Sequence, residues 1–173
     1  MKPLFIVLYS VAFVGCSLGQ PIVETSPKKY AALMTDWTPT GLVSHFPNPL
    51  PSTASKLKLS AFPGYMQSGA WFQIRLTLPV DDVSQVYDDA VKTAKDFYDG
   101  GDFYKSTNSK KGGLPGTTFH TSDNDKPSDF PEDYRVFVFA AQSSGGDGWN
   151  HGKSHGVVIS KQRNEVIYFA ENW

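Results

Sequence analysis

Cysteine is nearly absent: among 173 residues there is one, Cys16, and it lies in the N-terminal segment. The rest of the chain can therefore form no disulfide, CxxC redox pair, cysteine nucleophile or thiolate metal site. Long apolar runs are lacking as well. The uncharged stretch Leu4 to Val14 is shorter than the roughly 20 residues needed to span a bilayer as a helix. There is no basic excess either, with 16 Lys and Arg against 17 Asp and Glu and a formal net charge of −1. No Lys/Arg stripe is available to neutralise phosphates, which argues against a nucleic-acid partner. The chain has no Asn-x-Ser/Thr sequon, so N-glycosylation is excluded, and no internal repeat.

What is present begins with an export signature: Lys2 followed by the apolar run and then small residues. Two processing routes are open. Cleavage after Ser17-Leu18-Gly19 removes a signal peptide of residues 1–19 and releases a soluble chain starting at Gln20. Alternatively, Phe13-Val14-Gly15-Cys16 resembles a lipobox, though with Phe13 in place of the usual leucine. Residues 1–15 are then removed and Cys16 carries the lipid, two acyl chains being enough for stable anchoring. Either route gives an exported address, periplasmic, envelope-bound or secreted, with membrane contact only through the lipid. The remaining chain of about 150 residues is long enough to bury nearly 70% of its unfolded surface without disulfides.

Residues 20–55 are rich in proline (Pro21, Pro27, Pro39, Pro47, Pro49, Pro51). That density argues against a long helix or a central strand and predicts a tether followed by an irregular strap, with Trp37, Leu42, Val43 and Phe46 lying on the domain. Residues 56–173 read as a single α+β domain. Period-2 alternation predicts strands over Leu57–Ala61 and Phe72–Leu78, with Phe72, Ile74, Leu76 and Leu78 facing one way and Gln73, Arg75 and Thr77 the other. A helix is predicted from Asp82 to Tyr98, capped by Asp81 or Asp82, its stripe built from Val83, Val86, Tyr87, Ala90, Ala94, Phe97 and Tyr98. A long polar loop from Asp99 to Asp133 holds one short strand near Thr117–Thr121. Strands over Tyr134–Ala141, Gly156–Ser160 and Glu165–Ala170 complete a mostly antiparallel sheet of five or six strands, with one amphipathic helix packed on one face.

Chemistry-bearing residues concentrate in GGDGWNHGKSHG, Gly145 to Gly156. The HGKS within it is no phosphate loop, because Asp147 stands where Walker A requires glycine and a β-branched run follows where a helix should start. His151 and His155 share a face in an extended strand, and with Asp147 they could bind a metal if His45 or His120 supplied a further ligand. The acidic run Asp123-Asn124-Asp125 fails the EF-hand spacing. Ser154 and His155 are adjacent and point to opposite faces, so they cannot form a triad, and no G-x-S-x-G elbow exists. Asp147, Trp149, Asn150, His151 and Lys153 together offer an indole face beside directional polar groups, a composition suited to sugar or peptide ligands.

The stretches LVSHFPNPLP (Leu42 to Pro51), FPGYMQSGAWFQIRLTLP (Phe62 to Pro79) and NHGKSHGVVIS (Asn150 to Ser160) resemble exported bacterial proteins, some of them lipobox-bearing, to which no activity attaches. That resemblance implies a bacterial envelope address. The expectation is a non-enzymatic binding domain, without cofactor, for a protein or carbohydrate ligand. The alternative is a metal-dependent or other hydrolase using the Asp147/His151/His155 loop.

Overall fold

The computed structural model describes residues 21–64, 69–101, 117–124, 129–144 and 151–173. In chain order its elements are β1 (Ile22–Glu24), α1 (Pro27–Trp37), a 3-10 turn (Thr38–Thr40), β2 (Lys56–Phe62), β3 (Ala70–Thr77), α2 (Val80–Thr93), β4 (Asp96–Asp99), β5 (Arg135–Ser143), β6 (Gly152–Ser160) and β7 (Glu165–Asn172). The strands form one sheet in the order β1-β2-β3-β7-β6-β5-β4, and every neighbouring pair is antiparallel. The α+β class holds, but the expected five or six strands and single helix become seven strands and two helices among the described residues.

Both additional elements at the N-terminal end come from the proline-rich segment. Pro27 is the first residue of α1, where its missing N–H costs nothing, and Ser26 caps the helix by accepting from the Lys29 amide at 3.5 Å. The next proline, Pro39, falls in the turn after α1 has ended. β1 adds to the outer edge of β2.

The one predicted helix is present as α2 but is shorter than its apolar stripe. It runs Val80–Thr93 with Pro79 at the cap and no side-chain cap bond, while Asp81 and Asp82 lie in the first turn, where they favour the helix dipole. Ala94 turns extended (φ −65°, ψ 135°), and Asp96–Asp99 pair with β5. Phe97 and Tyr98 continued the helical spacing by coincidence. On a strand, adjacent side chains go to opposite faces, so Tyr98 is buried and Phe97 is 60% exposed.

One sheet face packs Leu59, Phe72, Ile74, Leu76, Val157 and Val166 against Tyr30, Leu33 and Trp37 of α1, Leu42, Val43 and Phe46 of the following segment, and Val83 and Ala90 of α2. Phe72 is the hub, meeting the rings of Tyr30, Trp37 and Phe46 at centroid distances of 6.1, 5.9 and 5.1 Å. The Tyr30 hydroxyl donates to the Pro47 carbonyl at 2.5 Å and ties α1 to the segment beyond it.

The opposite face is not left to solvent. Val136, Val138, Val158, Ile167 and Phe169 are covered by Phe119, Phe130 and Tyr134. The strand expected at Thr117–Thr121 is only an isolated bridge at Phe119, yet residues 117–124 form a third layer. Gly156 marks a tight point in the sheet, beside the register shift between Val138 and Ala140. A Cβ there would lie 2.0 Å from the Phe137 carbonyl oxygen. Gly156→Ala should lower unfolding stability in urea by about 3 kcal/mol. A loss below about 1 kcal/mol would show that β5 yields freely.

Candidate functional site

Cys16, Asp147, Trp149 and Asn150 lie outside the described residues. Of the rest of the predicted loop, His151 is exposed just before β6, Lys153 is exposed on it and His155 is half-buried. Ser154 and His155 do project to opposite faces. His155 stacks on His45 with ring centroids 5.0 Å apart and an interplanar angle of 28°. His45 Nε2–H donates to the Gly156 carbonyl at 2.9 Å, while its buried Nδ1 has no hydrogen-bond partner among the described residues. Burial, and then the neighbouring His155, push His45 down to about 3. Burial also lowers His155. Among the described residues no group of three or more His, Cys, Asp or Glu is placed to hold a metal ion.

Lys153 borders a cleft of about 340 Å³. Its floor is a cross-strand row, Ala70 on β3, Asn172 on β7 and Lys153 on β6. Its wall is the end of α1 and the segment after the 3-10 turn, with Asp36, Trp37 and Leu42. The 3-10 turn can reverse sharply here because Gly41 takes a left-handed φ of 73°. Among the described residues the side chains of Asp36, Lys153 and Asn172 are committed to no hydrogen bond or ion pair. An indole, a carboxylate, an amide and an ammonium thus meet around one opening, as sought in the glycine-rich loop but supplied by different elements.

On the other face of the same corner lies a buried polar cluster of which the sequence pattern pointed only to His120 and Ser154, and not to Glu171 at its centre. Glu171 is fully buried on β7. Its carboxyl accepts from the Thr117 hydroxyl and, at 2.6 Å, from the Trp173 indole N–H. Burial pushes it up to about 8 despite those donors. His120 Nε2 is 3.8 Å from Glu171 Oε1, and its side chain is only 4% exposed. The ring stacks on Trp71 at 4.2 Å and 4°. Burial lowers His120 to about 4. Gln73, also on this face, donates to Thr118 O and accepts from the Thr121 amide and hydroxyl, each at 2.9 Å, and so pins the covering segment. Neither His120 ring nitrogen has a hydrogen-bond partner among the described residues, nor has the Ser154 hydroxyl, which faces the same side opposite Glu171. Buried polar atoms are paired in the great majority of cases, which makes these three unusual. Because Ser154 and His120 do not bond to each other, the nucleophile-base contact that activates a serine is not formed. The only sequence clue to Glu171 was parity, which places it on the face of Ile167 and Phe169.

A second cleft, of about 420 Å³, lies near Lys58, Arg75, Asp123 and Glu165. Its charges are already matched internally: Asp123 accepts from Arg75 at 2.6 Å and from Lys58 at 3.3 Å, and Arg75 is 3.8 Å from Glu165. These contacts hold residues 117–124 to β2 and β3. No family model, curated protein or solved structure matches this chain.

Proposed function

We propose that the chain is a non-enzymatic binding domain, exported from a bacterial cell and either released or held at the membrane by lipid on Cys16. Its ligand is a short carbohydrate seated in the cleft between Trp37 and Lys153. The observation that carries this reading is the cleft's lining, where an aromatic side chain adjoins three polar side chains that have no partner within the described structure. Its volume falls at the lower end of the range of small-molecule sites. No described helix is long and apolar enough to cross a membrane, which is compatible with either route of export.

Isothermal titration against glucose and N-acetylglucosamine oligomers of two to four units tests the reading. At least one series should bind, and the Lys153→Ala/Asn172→Ala double variant should bind about tenfold or more weakly, the loss of a charge-assisted hydrogen bond. If no saccharide binds, or if short peptides bind and saccharides do not, the carbohydrate assignment fails. Intact-mass measurement of the protein from native membranes checks the address: a diacylglycerol adduct on Cys16 shows anchoring, and a chain starting at Gln20 shows release.

A further inference from the structure

The cleft and the buried polar cluster are two sides of one sheet corner. β3, β7 and β6 align here so that Ala70, Asn172 and Lys153 form one cross-strand row, and Trp71, Glu171 and Ser154 form the next. Successive strand residues project to opposite faces. The first row therefore lines the cleft, and the second carries the cluster. Each cluster residue is covalently bonded to a cleft residue: Trp71 to Ala70, Glu171 to Asn172, Ser154 to Lys153.

We propose that the proton on Glu171 keeps the cleft in its binding form, so that ligand binding on one face is coupled to proton uptake on the other. This rests on reading the cleft as a ligand site. Trp173 supplies the mechanical link. Its indole N–H is held by Glu171, and its main chain closes the row by exchanging hydrogen bonds with Gly152, N to O at 2.7 Å and O to N at 3.1 Å. Its ring lies against Gly69, where a Cβ would come within 2.5 Å of the indole. Trp173 thus follows Asn172 directly in the chain and touches Gly69 and Gly152, the residues immediately before Ala70 and Lys153.

Among the described residues, ionised Glu171 would have no Lys or Arg to meet it. The groups on this face are Thr117, His120 and Thr121 from the covering segment, Trp71 and Gln73 from β3, Ser154 from β6, and the Tyr98 phenol from β4, whose surroundings also include Asp129. None is Lys or Arg, and burial rather than any charge dominates the carboxyl's environment. An unpaired buried carboxylate is costly. Because His120 is lowered to about 4, it cannot take the proton in its place, and loss of the proton must therefore admit water between Trp173 and the sheet. That changes what holds Trp173. Affinity in the cleft should then fall about tenfold per pH unit once pH exceeds the free protein's Glu171 midpoint near 8.

Two readouts on the whole protein test this. The first is titration with glucose and N-acetylglucosamine tetramers at pH 7 and pH 9. Wild type should bind about tenfold more weakly at pH 9, and Glu171→Gln, which keeps a neutral side chain there, should bind equally at both. The second needs no ligand: the Trp37 indole N–H resonance should follow a single midpoint near 8 in wild type and stay still in Glu171→Gln. Should that variant not fold, Thr117→Val removes one donor to the carboxyl and should raise the midpoint. Tetramer binding that is equal at both pH values in wild type overturns the coupling and leaves the cleft reading intact. A Trp37 resonance that titrates while no saccharide binds does the reverse. A still Trp37 resonance in wild type, or a midpoint unmoved by Thr117→Val, also overturns the coupling.

Discussion

Conformational stability should be greatest near pH 6.5 and fall on both sides, with the alkaline fall abolished in Glu171→Gln. On the acid side, His45 and His120 are held down to about 3 and about 4 by burial, against 6.5 when unfolded. A depressed histidine stays neutral in the fold while the unfolded chain takes up the proton. Its contribution is complete above pH 6.5 and is lost as pH falls toward the folded value. Glu171 runs the other way. Raised to about 8 from 4.5, it keeps its proton in the fold while the unfolded chain has lost it, so stability declines as pH rises from 4.5 to 8. Between pH 4.5 and 6.5 two histidines outweigh one carboxyl, and above 6.5 only the carboxyl acts. A shift of that size corresponds to at most about 5 kcal/mol, a large fraction of a domain's stability. Urea midpoints measured from pH 4 to 9 provide the check. A wild-type stability that is flat or rising from pH 6.5 to 8 contradicts the buried, protonated carboxyl.

Truncating Phe72 should cost as much by a different route. The side chain is fully buried, and three rings from two separate segments converge on it: Tyr30 and Trp37 from α1, and Phe46 from the following segment. Phe72→Ala is expected to destabilise by about 3 to 5 kcal/mol, the range for a large aromatic removed from a core. Because Trp37 also borders the cleft, the same variant should weaken tetrasaccharide binding even where it remains folded. Phe97→Ala, at an exposed ring on the sheet margin, should stay within about 0.5 kcal/mol of wild type. Equal losses in the two variants would refute the assignment of the core.

The central strands were legible because their alternation is strong. Phe72, Ile74 and Leu76 share a buried face as the pattern requires. The same alternation misled about their backs. Gln73 looks solvent-facing in sequence, yet it is fully buried because residues 117–124 lie over it and satisfy its amide. Nothing local in a Thr-, Ser- and Asp-rich segment announces that it will cover a sheet, since its anchors, Gln73, Arg75 and Glu171, are distant in sequence. The proline count between residues 20 and 55 concealed α1, because what matters is where prolines fall within an element. Of the functional residues, Lys153 was identifiable from composition. Its partners in the cleft were not, because Asp36 and Trp37 reach it through a turn that only the fold reveals.

Among the described residues the sheet is open, with β1 and β4 at its margins. These two strands are three and four residues long, and they carry Glu24 on one and Asp96 and Asp99 on the other. A stacked fibril recruits six or seven consecutive residues with little charge, whereas each boundary of this sheet offers a shorter and acidic template. Strand addition from another copy would stop after a few backbone pairings, so the protein can remain dispersed at high local density without closing its sheet into a barrel.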